Sequence, residues 1–308
     1  MGDGRWDSKK WDSYATDKVH SKKTVDAIYT ARNIEKDLNP KGIKMRESCD
    51  SIDNPNSTAI VVALDVTGSM GRLSEVMARK GLKTLAEEIY NRKPISDPHI
   101  MFMGIGDAEM GDKAPLQVTQ FEADIRIAEQ LQKLYLEGGG GGNKYESYIL
   151  AWYFLAFHSK IDCFEKRSKK GYVFTVGDER PTPYLYADDI QRVFGYRPQF
   201  EKISAEDLLD IVSRQYEVFH LIVEEGGGFR SDNYEVTKKW NALLGQKAIH
   251  LADHTKMSEV IVSTLQVVNG EDIDTVSKSW NGDTSIVINK AIGDLSILSK
   301  NNSELVTF

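Results

Sequence analysis

The feature that most constrains the fold is a continuous run of apolar residues at positions 59–64, with the sequence AIVVAL. The run is rich in β-branched residues, which is typical of a strand that is buried on both faces. Strands of this kind belong to parallel sheets that have helices on both sides. We therefore expect a parallel sheet with a helical layer on each face.

The rest of the chain alternates between strand-like and helix-like patterns. Short apolar segments predict further strands at residues 100–105, 116–121, 172–176, 218–223 and 248–251. Apolar residues at helical spacing predict helices at residues 73–90, 125–136, 148–158, 208–216, 234–244 and 257–268. Because alternating strands and helices are joined by crossovers, the expected fold class is α/β. Its central sheet is expected to be doubly wound and mostly parallel, with helices on both faces.

Changes in composition along the chain suggest three parts. Residues 1–57 are polar and are expected to form an amino-terminal arm. Residues 58–268 contain the alternating pattern and are expected to form the α/β domain. Within them, the segment at about 184–206 is longer than an ordinary connection, so we expect an insertion at one rim. Residues 269–308 are rich in Ser, Asn and Asp and are expected to form a tail.

The arm and the tail each carry one pattern of their own. Apolar residues at helical spacing in residues 25–38 predict one helix in the arm. Residues 285–289 (SIVIN) are β-like, which predicts a small accessory strand or a docking tail.

Charge and cysteine content exclude several classes of protein. The chain has 308 residues, with 39 Lys and Arg against 46 Asp and Glu, a net charge of −7. It has no broad basic field for nucleic-acid phosphates or an anionic membrane, so we expect neither partner. Its apolar runs are too short to cross a bilayer, and its amino terminus has no apolar leader. Two cysteines, Cys49 and Cys163, are too few for a disulfide framework and predict reduced thiols in a cytoplasmic protein.

Oxygen-bearing side chains follow the buried strand at alternate positions. The segment at residues 61–70 reads VVALDVTGSM, so Asp65, Thr67 and Ser69 come directly after the apolar run. In an extended loop alternate residues point the same way, and one carboxylate and two hydroxyls can therefore converge. This donor set suits a hard cation such as Mg²⁺, Mn²⁺ or Ca²⁺. It does not suit zinc, because no His or Cys lies nearby.

The segment DVTGSM, in this strand–loop–helix context, resembles the metal-ion-dependent adhesion site of von Willebrand factor type A (vWA) domains. The Thr-Gly-Ser-Met form is frequent in intracellular bacterial and phage members, and the resemblance covers roughly residues 58–268. It implies that Thr67 and Ser69 bind a divalent cation directly and that Asp65 often binds it through water. It also implies a Thr from a second loop, an Asp from a third loop and a carboxylate from a partner.

The sequence matches the family's third loop but departs from its second loop. The segment YVFTVGD at residues 172–178 places Asp178 in the role of the family's Asp. The glycine-rich stretch Gly138–Gly142 stands where the second loop is expected, but Asn143 replaces the family's Thr. The amide oxygen of Asn143 is one candidate ligand, and Glu146 or Ser147 are alternatives. A Glu here adds negative charge and would close an open coordination position.

Three enzyme classes are incompatible with the motifs. The stretch GGGGGNKY lacks the second Gly and the Ser or Thr of a phosphate-binding loop. An aspartyl phosphatase needs a second acid two residues after its nucleophile, where Thr67 stands. A serine hydrolase elbow around Ser69 needs a glycine two residues before the serine, where Thr67 stands.

The sequence therefore predicts a binding protein and not an enzyme. We expect a vWA-like domain that binds an acidic side chain of a partner protein through its metal, with a MoxR-type AAA+ ATPase as one candidate partner. Two alternatives remain open. One is a Mg²⁺-dependent phosphoester hydrolase, and the other is a structural or assembly component with a vestigial metal site.

Overall fold

The computed structural model of the protein describes residue 4 and residues 7–19, 25–138 and 142–295. The strands are β1 Arg46–Ser48, β2 Thr58–Asp65, β3 Pro98–Ile105, β4 Leu116–Val118, β5 Tyr145–Glu146, β6 Ser159–Ile161, β7 Gly171–Gly177, β8 Arg180–Pro181, β9 Tyr184–Tyr186, β10 Lys202–Ser204, β11 Tyr216–Val223 and β12 Ala248–Leu251. The helices before residue 170 are α1 Ser8–Val19, α2 Val25–Ile28, α3 Gly71–Val76, α4 Leu82–Arg92, α5 Arg126–Leu131, α6 Ile149–His158 and α7 Asp162–Arg167. The later helices are α8 Ala187–Phe194, α9 Ala205–Val212, α10 Gly227–Leu244, α11 Met257–Val268, α12 Ile273–Lys278 and α13 Asp283–Ile292.

The central sheet has six strands in the order β12-β11-β7-β2-β3-β4. All neighbours pair in parallel except β4, which runs antiparallel to β3. Numbered by their own order along the chain, the strands read 6-5-4-1-2-3. This is the Rossmann strand order, in which the chain winds first to one side of the opening strand and then to the other. The doubly wound α/β class expected from the sequence is confirmed.

Strand β2 has a hydrophobic core on each of its faces. Ile60, Val62 and Leu64 pack into the core that contains α4 and α11. The alternate residues Ala59 and Val61 pack into the core that contains α6 and α9. Residues 59–64 have no exposed surface, which explains why the strand is apolar without alternation.

The arm differs from its predicted form. The helix expected at residues 25–38 is wrong beyond its first turn, because only Val25–Ile28 is α-helical and a 3₁₀ turn occupies Lys36–Leu38. Ile28 and Leu38 are nevertheless buried in the core. Their spacing thus reflects contacts between an irregular segment and the domain, and not one helical face. The arm also forms α1, which the sequence analysis did not predict.

The tail also differs from its predicted form. The strand expected at residues 285–289 is wrong, because these residues lie in α13. Ile288, Ala291 and Ile292 are buried, whereas Ile286 is 70% exposed, a pattern with helical spacing. The β-branched residues of SIVIN do have strand propensity, but burial of one helical face against α11 outweighs it.

The helix predicted at residues 125–136 is shorter than expected, since α5 ends at Leu131. The backbone of Tyr135 instead pairs with the fully buried side chain of Gln117, donating to Oε1 and accepting from Nε2, both at 2.8 Å. The segment at about 184–206 contains the antiparallel pair β9 and β10, with α8 between them in the chain. None of the helices in the described ranges has the length and apolar character to cross a membrane.

Packing of the tail gives a prediction about stability. Ile292→Ala should lower the free energy of unfolding by about 2–4 kcal/mol, because it leaves a cavity in the core. The same change at exposed Ile286 should alter it by less than about 0.5 kcal/mol. Chemical denaturation of the two variants checks this, and equal effects would contradict the helical packing of α13.

Candidate metal centre

The strand order fixes where a crevice lies. The chain leaves β2 toward β3 on one side and leaves β7 toward β11 on the other, so the crossovers diverge between β2 and β7. Ligands of open α/β sheets bind at this switch point, outside the carboxyl ends of the strands. Asp65 is the last residue of β2, and Asp178 directly follows β7. Both carboxylates are fully buried at this edge.

Asp65 is held by three hydrogen bonds. Its Oδ1 accepts from the backbone N–H of Thr67 at 2.9 Å and from the Thr67 hydroxyl at 2.6 Å. Its Oδ2 accepts from the hydroxyl of Tyr148 at 3.2 Å. Because Thr67 gives its proton to Asp65, the lone pairs of its oxygen remain available to a cation. Ser69 lies in the 3₁₀ turn Gly68–Met70, and its side chain is outside the described part of the structure.

Asp178 lies against the turn that begins α10. Its Oδ2 accepts from the backbone N–H of Gly228 at 2.7 Å. A Cβ on Gly226 would come within 2.2 Å of the same oxygen, so a side chain at that position would displace the carboxylate. Asp178 therefore holds the amino end of α10 as well as occupying the crevice.

The glycine-rich loop brings Asn143 and Glu146 to different neighbours. Asn143 Nδ2 donates to Asp107 Oδ2 at 2.8 Å, and its Oδ1 accepts from the backbone N–H of Tyr145 at 3.3 Å. Glu146 is 3% exposed, and burial, followed by the charge of Asp65, raises its pKa. Glu146 is thus an electrostatic neighbour of Asp65, whereas the hydrogen bonds of Asn143 link it to Asp107. Ligation by either residue stays a prediction.

The carboxyl groups of the crevice raise one another's pKa. Burial raises the pKa of Asp65 to about 7, and the charge of Asp178 adds to this while bonds from Thr67 oppose it. Burial, followed by the charge of Asp65, raises the pKa of Glu146 well above its ordinary value. Burial and the charges of Asp178 and Asp65 raise the pKa of Glu179 to about 7. Ionising these carboxyl groups together is therefore unfavourable unless a counter-charge is added.

Two basic side chains close in sequence to the crevice residues form ion pairs with one carboxylate of α10. Arg180 and Lys144 both form ion pairs with Asp232 on α10. Within the described ranges, neither Asp65 nor Glu146 forms an ion pair with Lys or Arg. Buried carboxylates without a basic partner, together with hydroxyl oxygens, are a donor set that fits a hard divalent cation.

The distances between these carboxylates limit how they share an ion. In the described part of the chain, one group of three His, Cys, Asp or Glu side chains has ligand atoms that all lie within 4.8 Å, and it consists of Glu225, Asp253 and His254. Asp65, Glu146 and Asp178 do not form such a group. Direct ligation by all three would need a loop to move, whereas ligation through water would not.

Three residues near the crevice were not predicted as part of the site. Asp107 follows Gly106 in a turn, where its side chain accepts from the backbone N–H of Glu109 at 2.8 Å. It is also 1% exposed, and its charge raises the pKa values of Glu146 and Glu179. Its position two residues after the end of β3 was the available signal, because adjacent parallel strands end at one edge. Glu179 carried a similar signal, as the neighbour of Asp178.

No feature of the sequence around Tyr148 indicated that this residue belongs to the site. Its hydroxyl donates to Asp65 and accepts from the backbone N–H of Glu179 at 3.4 Å. A Cβ on Gly177 would come within 1.9 Å of that hydroxyl, so its position depends on a glycine 29 residues away. The ring packs edge-on against His220 and Trp240, which stack with centroids 3.5 Å apart. Tyr148 thus links the end of β2 to the end of β7.

The fold and the crevice together define a doubly wound α/β protein with an acidic site at its switch point. No protein-family model and no curated protein matches the chain. Similar solved structures include the pilus adhesin SpaC from Lactobacillus rhamnosus GG in its open conformation, with 12% identity, a TM-score of 0.45 and coverage of 77% of this chain and 31% of that chain. A von Willebrand factor type A structure from Catenulispora acidiphila has 13% identity, a TM-score of 0.41 and coverage of 77% of this chain and 49% of that chain. The chain thus spans about a third and about half of these two structures, and the fold class rests on the strand order.

The raised pKa values predict how stability changes with pH. Asp65 and Glu146 bind protons more tightly in the folded chain than in the unfolded chain, where an Asp titrates near 4. The free energy of unfolding without divalent ions should therefore fall as the pH rises from about 4 to about 7. Asp65→Asn should raise it at pH 8 by roughly 1–3 kcal/mol, because the amide carries no charge.

Denaturant titrations in EDTA at pH 5 and pH 8 measure this effect. Asp210→Asn is the matched control, since Asp210 is exposed on α9 far along the chain from the crevice residues. If Asp65→Asn instead lowers the free energy of unfolding as much as a cavity-forming core variant does, the charge of Asp65 does not destabilise the fold.

Proposed function

We propose that this protein is a protein-binding module whose binding depends on a divalent cation. Asp65, Thr67 and Ser69 would hold Mg²⁺, or Mn²⁺ or Ca²⁺ in its place. Asp178 and one residue of the glycine-rich loop, Glu146 or Asn143, would complete the protein's share of the ligands. The observation that carries the proposal is the buried pair of carboxyl groups of Asp65 and Glu146, whose pKa values are raised by burial and by neighbouring negative charge and which form no ion pair with a Lys or Arg that the structure describes.

The residues of the crevice would have different roles in binding the cation, according to their contacts. The carboxylates supply the charge that attracts the cation, and the Thr67 oxygen supplies a neutral ligand. The hydroxyl of Tyr148 donates a hydrogen bond to the Asp65 carboxylate and helps to hold it in position. When bound, the cation would offer a coordination position to an acidic side chain of the partner.

Support for a partner comes from the resemblance of DVTGSM to the vWA adhesion motif. That resemblance makes a protein with an exposed Asp or Glu the expected partner. A MoxR-type AAA+ ATPase in the cytoplasm is the candidate that we would examine first. Binding, and not catalysis, is the proposed activity, and neither nucleic acid nor a membrane is proposed as a partner.

Titration with the metal alone is the first test. Mg²⁺, Mn²⁺ and Ca²⁺ should each raise the melting temperature of the wild-type protein and of Asp210→Asn. Asp65→Asn should lose most of this shift, because the variant lacks the carboxylate that attracts the ion. If Asp65→Asn shifts as much as the wild type, the cation binds elsewhere and the proposal fails.

A capture experiment tests dependence of the partner on the metal. Wild-type protein, Asp65→Asn and Asp210→Asn would be immobilised and exposed in Mg²⁺ to a lysate of the native host. A partner should elute with EDTA from the wild type and from Asp210→Asn, but not from Asp65→Asn. Capture that is indifferent to EDTA and to Asp65→Asn would overturn the mechanism.

The hydrolase alternative has its own measurement. Turnover of nucleotide and phosphodiester substrates in Mg²⁺ should be absent from all three proteins if the site only binds. Turnover by the wild type that vanishes in Asp65→Asn would replace the binding function with metal-assisted hydrolysis.

A further inference from the structure

The helix that follows the DVTGSM segment contains one wide turn. A π-helical turn, Met77–Gly81, joins α3 to α4, so residues 71–92 form one continuous helix. At this turn the backbone N–H of Leu82 donates to the carbonyl of Met77, five residues earlier instead of four. Turns of this kind are rare and occur frequently at functional sites. The contacts that stabilise this turn are therefore of interest for the site that precedes it.

Two tyrosines of the amino-terminal arm donate hydrogen bonds to the backbone of this helix. The hydroxyl of Tyr14 on α1 donates to the carbonyl of Ala78, within the π turn, at 2.6 Å. The hydroxyl of Tyr29, directly after α2, donates to the carbonyl of Ser74 on α3 at 2.7 Å. The arm thus contacts the part of the helix that leads back to the DVTGSM segment.

A third hydroxyl holds the other end of the turn. Ser258 of α11 donates to the carbonyl of Gly81 at 2.7 Å. A Cβ on Gly81 would lie 3.2 Å from the Ser258 oxygen and 3.2 Å from the carbonyl of Val76, so this close approach depends on the glycine. Because α11 fixes the end that leads into α4, the arm is left to fix the end that leads into α3.

The arm is anchored by burial and by an ion pair. Trp11 is fully buried in the core that contains α4 and α11. Asp12 pairs with Lys83 of α4 at 2.7 Å. Burial raises the pKa of Tyr14 to about 12 and that of Tyr29 well above its ordinary value, so both hydroxyls keep their protons and act as donors.

The helix does not satisfy all of its own polar groups beside the site. The hydroxyl of Ser74 is buried and has no hydrogen-bond partner among the residues that the structure describes. An unpaired buried hydroxyl costs free energy. The conformation of residues 71–76 is therefore maintained by contacts with neighbouring segments, among them the bond from Tyr29.

The helix and the candidate metal ligands are continuous along the backbone. α3 begins directly after the 3₁₀ turn Gly68–Met70, which contains Ser69. The backbone N–H of Met70 donates to the carbonyl of Thr67 at 2.9 Å. A displacement of α3 would therefore displace Thr67 and Ser69 as well.

We propose that the arm positions the candidate metal ligands. The hydroxyls of Tyr14 and Tyr29 hold the helix, and the helix holds Thr67 and Ser69 in the arrangement that binds the cation. Both tyrosines are positioning residues that act through the helix and are not ligands. Displacement of the arm would weaken the site. The consequence for a cation rests on the proposed function, whereas the order of the backbone can be measured without any cation.

Amide hydrogen exchange in EDTA tests the positioning by itself. Tyr14→Phe/Tyr29→Phe removes both hydroxyls and keeps both rings. Exchange at residues 66–76 should become at least about fivefold faster, because two buried hydrogen bonds no longer oppose local opening. Unchanged exchange at these residues would overturn the proposal.

The matched control removes two buried hydroxyls at the opposite edge of the sheet. Tyr172 opens toward the amino end of β7 and donates to Asn269 at 3.0 Å, and Tyr216 begins β11 and bonds to Ser159 at 2.8 Å. Tyr172→Phe/Tyr216→Phe should leave exchange at residues 66–76 within about twofold of the wild type, because local opening is independent in distant segments. An equal acceleration in this control would show a general loss of stability and would overturn the positioning role.

Calorimetric titration with Mg²⁺ tests the consequence for the site. Tyr14→Phe/Tyr29→Phe should bind Mg²⁺ at least about fivefold more weakly than the wild type, because its ligands are no longer held in place. Tyr172→Phe/Tyr216→Phe should keep the wild-type affinity. A purely structural role of the arm hydroxyls would lower the melting temperature and leave the Mg²⁺ affinity unchanged, and that result would overturn the proposal.

The two measurements separate this proposal from the proposed function. If the wild type binds no Mg²⁺, the proposed function fails, and faster exchange in Tyr14→Phe/Tyr29→Phe would still show that the arm positions the segment. If the double variant does not fold, Tyr14→Phe and Tyr29→Phe are measured singly, with smaller changes expected in the same direction.

Discussion

Burial of the Asp65 carboxylate at the end of β2 is the constraint on which the acidic crevice depends. Both faces of β2 are covered, so its last residue, Asp65, is buried in the crevice and not exposed to solvent. A charged group in such a place costs free energy unless a partner compensates it. Thr67 and Tyr148 supply hydrogen bonds, but they carry no positive charge. The structure thus maintains a destabilising group where a cation would relieve it.

The residues that surround the buried carboxylates belong to several loops. Specific hydrogen bonds connect these loops to one another. Tyr148 joins the ends of β2 and β7, Asp178 joins β7 to α10, and Asn143 joins the glycine-rich loop to Asp107. Glycines at 177 and 226 make the first two contacts possible, because a Cβ at either position would overlap them. A change at one loop is therefore expected to shift carboxylates that belong to another loop.

The sheet and the position of the crevice could be predicted from the sequence, because both depend on local patterns. An apolar run gave β2, and the polar residues directly after it gave Asp65 and Thr67. The contact of Tyr148 could not be predicted, because it requires Gly177 to approach from a distant segment. The helix at residues 283–292 could not be predicted either. Its residues tolerate both a strand and a helix, and packing against α11 favours the helix.

The two edges of one sheet carry opposite charge, and the strands explain why this arrangement is stable. Asp65 and Lys170 lie at opposite ends of neighbouring strands, β2 and β7, so the positive side chains at the amino edge cannot reach the carboxylates. Separation by the length of a buried strand leaves neither set neutralised by the other. At the amino edge Arg167 and Lys170 form ion pairs within the fold, with Asp50 and Glu217. At the carboxyl edge Asp65 has hydrogen-bond partners but no ion pair with a Lys or Arg that the structure describes, so a counter-charge for its carboxylate would have to come from outside the fold.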